Sequence, residues 1–463
     1  MKLSRKKLWI AIAICALSPI LVPVVSKSLP IVRERECHRA FFPKESFQER
    51  LKKPPAPWIT AQLDHDLIDF KEKKITSNAV TKTFEHIYQT LGPAHDYYHF
   101  RILDNKLYKY VPDKVPFSDT DTLTEKALKT LLMYAKVPDC DFILCGMDGV
   151  PEHYVPSNFY LVEDPANQAP ILAQAKRESV APKYIILIPD QLCLSESWYR
   201  SSREILEANQ KISWDQKAPV AIWRGWLSDT GEISNGKLAA NYQTTPRFAL
   251  CKMAALHPEC IDAGLTNLDS KELETIAKSM GFLKNSLKKE DHLRGKYLPV
   301  LDGHMCTYPG YQWRLLSNSV CFKQESDQIQ WFYKALQPYV HYIPVKNDMS
   351  DLVEKINWAK EHDEEAAAIA DRARDFAQKN LLFEEVYFYL YQTFQEYAKF
   401  QAIDFAKLKR ETKNDPQWKC IQYRKRLGLK KSVEKIRGCL QSKWYLTLGP
   451  NSSIPKGVCG SSL

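Results

Sequence analysis

The first half of the chain alternates between short apolar runs and segments whose apolar residues recur at helical spacing. Residues 142–145 (FILC) and 184–188 (YIILI) are short apolar runs typical of buried strands, and residues 121–134 show a helical pattern ahead of them. This alternation predicts an α/β fold with a parallel sheet. We assign residues 58–207 to this first domain.

A second α/β domain is predicted over residues 208–383. Its helices are expected to dominate after the last strand, and the aromatic-rich segment 384–400 is expected to form a helix that packs back across the domain junction. The strand candidates of this domain are residues 218–223, 297–301 and 319–322, and the helix candidates are residues 348–358 and 363–381.

The N-terminal segment, residues 1–30, has the pattern of a signal peptide or a signal anchor. Basic residues precede an uncharged apolar run over residues 8–25, which is near the lower limit of about 17–25 residues for a spanning helix. No small-x-small cleavage site follows, so we favour an uncleaved single-pass anchor in a secretory or envelope membrane. A cleaved, secreted form remains open. Residues 31–57, which end in KKPPAP, are interpreted as a stalk.

Composition supports two packed domains, since 463 residues with 44% hydrophobic residues exceed one ordinary core. The net charge of +10 suits an anionic partner without identifying it. Basic residues are concentrated in residues 401–463, which are predicted to form a helical appendage. This appendage is either solvated or held against anionic lipid or a phosphorylated acceptor. A nucleic-acid partner is not expected behind a membrane anchor.

The twelve cysteines contain no C-x-x-C pair and no paired Cys/His spacing of a zinc site, so no structural metal is expected. Disulfides and buried free thiols remain equally open. The segment Asp302-Gly303-His304 lacks a second carboxylate or histidine at ligand spacing. We therefore expect neither a metal nor another cofactor.

Candidate chemical groups follow the predicted strands, at the sheet edge where open α/β folds place ligands. Asp148 follows the run 142–145 and is a candidate general base, although an Asp-Gly turn by itself is more often structural. Arg224 and Gly225 follow the apolar run 218–223. Ser228 comes three residues later, and its hydroxyl is a candidate to bind phosphate oxygens.

Two further arginines, Arg247 and Arg314, are candidates to bind an anion. Each taken alone is more often a partner in a surface or interdomain salt bridge. Single residues of this kind do not assign a function. The order and spacing of the motifs along the chain are more specific.

In order and spacing, the motifs resemble those of glycosyltransferase family 90, which includes lipopolysaccharide- and capsule-associated transferases and protein O-glucosyltransferases. The most specific piece is the segment 338–345 (PYVHYIPV) with the predicted helix 348–358 after it. Further matching segments are residues 214–225, 296–303 and 315–322.

The resemblance implies a GT-B architecture, in which two Rossmann-like domains face a cleft and the second domain holds the nucleotide. It implies inverting transfer, without a metal, from a UDP-sugar, with glucose or xylose favoured. The acceptor is expected to be an envelope glycan such as lipopolysaccharide, or a protein. Asp148 falls on the family's catalytic base, Arg224-Gly225 on its Arg-Gly turn, and Arg247 on an arginine that contacts the donor phosphates.

One departure from the family concerns the loop after Asp302-Gly303. The family closes this loop with a Ser-x-Arg-type element over the diphosphate, whereas this chain has Tyr308-Pro309-Gly310, with glycine at the arginine position. Arg314 lies one helical turn later, so it supplies the missing charge if the segment is helical. The donor-binding set is therefore predicted to include Asp302, Tyr308, Gly310 and Arg314.

Two other functional classes remain open. A glycoside hydrolase needs two carboxylates across the scissile bond, and no partner for Asp148 is evident in the sequence. A nucleotide-sugar or glycan-binding membrane protein that has lost catalysis is favoured by the missing family arginine, whereas the presence of Asp148 argues against it.

Overall fold

The computed structural model describes residues 44–92, 96–113, 115, 122–150, 159–179, 184–227, 245–268 and 271–421. The predicted anchor and Ser228 lie outside these residues, as does most of the basic C-terminal segment. Within the described residues, no helix combines the length and the apolar character needed to cross a bilayer. The chain divides into two compact units, Met1–Cys420 and Ile421–Leu463, and apart from Ile421 the described residues belong to the first.

The described residues form an α/β fold with mixed and parallel sheets. The strands are β1 (Tyr97–Leu103), β2 (Lys106–Tyr110), β3 (Cys140–Cys145), β4 (Ile171–Ala173), β5 (Lys176–Arg177), β6 (Ile185–Leu187), β7 (Ala218–Trp226), β8 (Ile261–Asn267), β9 (Gly295–Val300), β10 (Val320–Gln324), β11 (Gln328–Ile329), β12 (Ile343–Val345) and β13 (Trp418–Ile421).

Helices cover both sheets and connect their strands. The α-helices are α1 (Lys44–Leu51), α2 (Pro57–Asp66), α3 (Ser77–Leu91), α4 (Leu123–Tyr134), α5 (Glu196–Asn209), α6 (Pro246–Leu256), α7 (Lys271–Ser279), α8 (Lys289–His292), α9 (Gly310–Leu316), α10 (Leu352–Glu361), α11 (Asp363–Asn380), α12 (Phe383–Lys399) and α13 (Phe405–Asn414). Short 3₁₀ helices are Ile68–Phe70, Pro165–Asn167, Trp214–Gln216 and Tyr333–Ala335.

The first sheet has the strand order β13-β2-β1-β3-β4-β6 and is mixed. Strands β3, β4 and β6 are parallel, as predicted, but β1 is antiparallel to both β2 and β3. The expectation of a parallel sheet is therefore wrong for this half. For the β1–β2 pair the reason is the two-residue turn Asp104-Asn105, whose φ values of 50° and 57° reverse the chain directly into β2. Asp and Asn tolerate this left-handed conformation better than most residues.

The second sheet is parallel throughout, in the order β12-β10-β9-β7-β8. Numbered by their sequence within this sheet, the strands run 2-1-3-4-5 from the β8 edge, which is one of the two common doubly wound orders. Strands β7, β9 and β10 coincide with the runs predicted from the sequence. The strand order reverses between β7 and β9, so their carboxyl ends flank a crevice.

A shared strand pair and a crossing helix help to join the halves of this unit. Strand β5 pairs antiparallel with β11, so that a two-stranded sheet takes one strand from each half. Helix α12 follows the second sheet along the chain but packs on the first. Its Phe394 ring lies 5.1 Å from that of Phe142, and the Tyr397 hydroxyl donates to the Asp141 carbonyl at 3.0 Å.

The N-terminal described helix belongs to the body, so a stalk is the wrong description of residues 44–51. Phe47 is fully buried. Arg50 lies over the Phe388 ring at 3.4 Å and pairs with Glu385 at 2.5 Å, so α1 is fixed to α12. The proline-rich residues that follow predict a stalk, but burial of Phe47 fixes this short helix to the body.

The start of the C-terminal segment also belongs to the body, so it is not a separate appendage up to residue 421. Strand β13 forms the edge of the first sheet. The Arg101 guanidinium lies over the Trp418 ring at 3.8 Å and donates to the Thr412 hydroxyl at 2.8 Å. These contacts fix α13 and β13 to the strand that carries Arg101. The rest of the predicted appendage lies outside the described residues.

A buried ion pair between helix α2 and strand β5 stabilises the first half of the molecule. Lys176 and Asp66 are both fully buried, with Nζ 2.7 Å from Oδ1. Asp66 also accepts the Leu187 N–H at 2.9 Å, so the pair connects α2, β5 and β6. Lys176→Met leaves a buried carboxylate without its cation, and we expect a loss of about 3–5 kcal/mol in the free energy of unfolding by urea.

The control is the double variant Asp66→Asn with Lys176→Met, which removes both charges. We expect it to recover most of the stability lost in the single variant. Equal losses in the two variants would mean that the uncompensated charge is not the cause.

Candidate active site

Arg247 spans the crevice between the carboxyl ends of β7 and β9. It is the second residue of α6, so the amino end of that helix lies at the same edge of the sheet. Its Nε donates to the Asp302 carbonyl at 2.8 Å, and its Nη1 donates to the Trp226 carbonyl at 2.7 Å. Ligands of doubly wound folds bind at this switch point. A guanidinium and a helix amino end are together suited to an anion there.

The loop between β9 and α9, residues 301–309, is held by its own polar groups. The Asp302 N–H donates to the Gln324 side-chain oxygen at 3.0 Å, and the Ser326 hydroxyl donates to the Asp302 carboxylate. The Thr307 hydroxyl donates to the Leu301 carbonyl. The predicted donor residue Asp302 is thus a buried support of the loop, and its own carbonyl is the acceptor for Arg247.

The far end of this loop reaches the first sheet at Asp148. The Tyr308 hydroxyl donates to the backbone carbonyl of Asp148, and the Gln174 amide donates to the carbonyl of the preceding Met147 at 2.8 Å. The Asp148 side chain is exposed, and no described residue forms a hydrogen bond or ion pair with its carboxylate. The backbone is therefore fixed while the carboxylate stays available.

Gly310 and Arg314 occupy one turn of helix α9, which confirms that this segment is helical. Arg314 Nη1 donates to the Gly310 carbonyl at 3.0 Å. A Cβ atom at position 310 would overlap Thr307 Cγ2 and lie 3.0 Å from Arg314 Nη1. The glycine at the family's arginine position therefore leaves room for the guanidinium of Arg314.

The charge of Arg314 has no counter-ion among the described residues. Its side chain is buried, its Nε has no hydrogen-bond partner, and no carboxylate among the described residues pairs with it. Burial, together with the charge of nearby Arg247, lowers the pKa of Arg314 to about 10. A buried cation without a counter-ion is costly, so this position favours an anionic ligand.

Arg224 and Gly225 are placed differently. The Arg224 guanidinium forms two hydrogen bonds with the Asp262 carboxylate, at 3.0 and 2.9 Å, and a third with the Asp262 carbonyl at 2.8 Å. Its charge is thus compensated by strand β8. A Cβ atom at Gly225 would lie 2.5 Å from the Trp223 indole, so this glycine accommodates a neighbouring ring. Packing alone accounts for both residues, and Ser228 lies outside the described residues.

Sequence reasoning missed a buried polar network that joins the first sheet to α9. The Gln312 amide donates to the Asp190 carboxylate at 2.9 Å and to the Gln330 oxygen at 3.2 Å. The Gln330 amide in turn donates to the Thr307 carbonyl at 3.2 Å. Burial raises the pKa of Asp190. A signal was present, because Asp190 follows the apolar run 184–188 much as Asp148 follows 142–145.

Two observations concern metals and cysteines in the described part of the chain. It contains no group of three His, Cys, Asp or Glu side chains arranged to hold a metal ion. Its cysteines form no disulfide with one another, and all but one are buried: Cys140, Cys145, Cys193, Cys251, Cys260, Cys306, Cys321 and the exposed Cys420.

Comparison with known proteins places the chain in a class. The family described as glycosyl transferase family 90 matches residues 52–437, and the chain belongs to that family. Among its relatives are Protein O-glucosyltransferase 2 of Danio rerio, 29% identical over 74% of this chain, and Protein O-glucosyltransferase 3 of Homo sapiens, 30% identical over 66%. The matches span 63% and 55% of those two relatives, so the chain accounts for only part of their length.

Among solved structures, an Anabaena protein in complex with UDP and glucose resembles the chain with a TM-score of 0.35 and 12% identity. The match covers 59% of this chain and 75% of that protein. A similarity this weak carries no argument about ligand or mechanism.

The burial of Asp302 predicts a pH-dependent stability. Burial raises the pKa of its carboxyl to about 6, from 3.8 in ordinary surroundings, although Lys323 acts in the opposite direction. The folded protein then holds this proton more tightly than the unfolded chain, so the group's contribution to stability falls as the pH rises from about 4 to about 6.

Asp302→Asn cannot titrate and is free of this loss. We expect the stability of the variant relative to the native chain to increase by up to about 3 kcal/mol between about pH 4 and pH 7.5, measured by urea unfolding. The exposed Asp64→Asn is the control for loss of a negative charge. A difference that does not change with pH would contradict the raised pKa.

Proposed function

We propose that this chain is an inverting, metal-independent glycosyltransferase of the GT-B type that transfers a sugar from UDP to an acceptor hydroxyl. The observation that carries the proposal is the loop 301–309. Arg247 binds this loop at its start, and Tyr308 binds Asp148 near its end. One short loop therefore connects the crevice that contains Arg247 with the candidate base Asp148.

The GT-B assignment is supported by the arrangement of the two sheets. The second sheet is doubly wound, with the nucleotide expected at its β7/β9 crevice. Asp148 follows β3 of the first sheet, and its backbone carbonyl accepts a hydrogen bond from Tyr308 of the loop that leaves this crevice. We propose residues 58–207 as the acceptor-side domain and residues 208–383 as the nucleotide domain, with 384–400 as the crossing helix.

In the proposed reaction, the Asp148 carboxylate takes the proton of the acceptor hydroxyl as that oxygen attacks the anomeric carbon. The bond between the anomeric carbon and the UDP oxygen breaks at the same time, and UDP leaves with the bonding electrons. Attack opposite the leaving group inverts the configuration. The Asp148 carboxylate has no hydrogen-bond or ion-pair partner among the described residues, which suits it to this role.

Arg247 and Arg314 are proposed to stabilise the charge that develops on the departing diphosphate. The amino end of α6 adds a favourable dipole at the same edge. These groups supply the positive charge that a divalent metal supplies in other transferases. The case for Arg224 is weaker, because Asp262 already compensates its charge.

The names of the relatives support glucose as the sugar and a protein hydroxyl as the acceptor. The matches cover only 63% and 55% of those two relatives, so the sugar and the acceptor are both proposals. Xylose or another sugar is the alternative to glucose. Nothing beyond the family resemblance supports an envelope glycan such as lipopolysaccharide. The proposed location, a secretory or envelope membrane, rests on the anchor pattern of residues 1–30.

Release of UDP from a panel of UDP-sugars, with EDTA present, tests the proposal. We expect one donor to be turned over slowly without acceptor, and Asp148→Asn to reduce this rate by about 100-fold or more, because proton transfer typically contributes 10²–10⁴. Asp64→Asn, another exposed aspartate of the same half, is the matched control and should be unaffected.

An obligatory requirement for Mg²⁺ or Mn²⁺, or a product with retained configuration, would overturn this mechanism. Tight UDP binding without turnover in the native chain, with candidate acceptors supplied, would favour the alternative of a catalytically impaired binding protein.

Arg314 gives a second test, in which binding and stability change in opposite directions. Arg314→Met removes an uncompensated buried charge and keeps most of the side-chain volume, so the melting temperature of the free protein should stay unchanged or rise. Loss of a charge-assisted hydrogen bond should weaken UDP binding by about 10- to 100-fold in calorimetry. Arg200→Met, at an exposed arginine of α5, is the control. A large fall in melting temperature with native UDP affinity would sink the assignment.

A further inference from the structure

Trp226 is an exposed tryptophan at the carboxyl end of β7, beside the crevice. Its side chain is 53% exposed, whereas Trp223 on the same strand is buried. No ring contact with a described residue involves Trp226. Single exposed apolar residues are common on protein surfaces, so exposure alone assigns no role to this residue.

The backbone of Trp226 is held in a specific way. The pairing of β7 with β8 shifts register between Gly225 and Trp226, so that Gly225 pairs with Leu265 and Trp226 with Asn267. The unpaired residue, Thr266, lies in β8, and irregularities of this kind are frequent beside active sites. In addition, the Trp226 carbonyl accepts the Arg247 guanidinium at 2.7 Å. The backbone that carries the indole is thus hydrogen-bonded to Arg247, the candidate phosphate-binding residue.

The contacts also give an order along the site. Arg247 connects Trp226 on one side with Asp302 on the other, and the loop that follows Asp302 leads to Tyr308 and Asp148. A donor with its diphosphate at Arg247 and its sugar near Asp148 would extend its nucleoside towards Trp226.

We infer that Trp226 is the stacking platform for the nucleobase of the donor, an inference that rests on the proposed function. Aromatic side chains stack on a base through its π face, and every base has one. Trp226 therefore contributes affinity for a nucleoside diphosphate and little selectivity among bases. A uracil preference would come from other groups.

Calorimetry on the full chain tests this with UDP, uridine monophosphate and inorganic pyrophosphate as ligands. Trp226→Ala should weaken binding of the two nucleotides by about 5- to 150-fold and leave pyrophosphate binding unchanged. Trp226→Phe should retain most of the nucleotide affinity, since it keeps an aromatic face. Leu256→Ala, which truncates another exposed apolar side chain at the end of α6, should change none of the three affinities.

Native UDP affinity in Trp226→Ala would overturn the inference and leave the proposed function intact. An equal loss for pyrophosphate would also overturn it, since the indole would then act through Arg247. Failure of the native chain to bind UDP at all would overturn both this inference and the proposed function.

Discussion

The site depends on one short loop that the two halves of the molecule hold in common. Residues 301–309 leave β9 at the switch point of the second sheet, where Arg247 binds their first carbonyls, and they reach Asp148 of the first sheet through the Tyr308 hydroxyl. The Gln312, Gln330 and Asp190 network holds the same region from within. A shift of this loop would therefore move the candidate base and the cationic crevice together, and their mutual geometry is coupled to its internal hydrogen bonds.

The charges around the crevice divide into compensated and uncompensated groups. Arg224 is neutralised by Asp262, and Lys176 by Asp66, so these ion pairs serve the fold. Arg314 has no such partner among the described residues. The free protein bears the cost of burying that charge, and an anionic ligand would relieve it. This contrast separates arginines that look alike in the sequence.

Gly310 shows how a departure from a family pattern can be accommodated by the fold. A Cβ atom at position 310 would overlap Thr307 and lie against the guanidinium of Arg314. Gly310 and Arg314 are one helical turn apart, so the Arg314 guanidinium lies beside position 310 although its Cα is four residues later. Loss of the motif residue therefore does not by itself argue for loss of the anion site.

The sequence determined the α/β class, the strands β7, β9 and β10, and the family, because apolar periodicity and ordered motifs are local properties of the chain. It also marked Asp148, Arg247 and Arg314. It did not reveal the antiparallel β1, the packing of α1 and β13 on the body, or the network around Asp190, since these depend on contacts between residues far apart in the chain. Only the tertiary structure decided which arginine is paired and which carboxylate has no partner among the described residues, because compensation of a charge is set by neighbours in space.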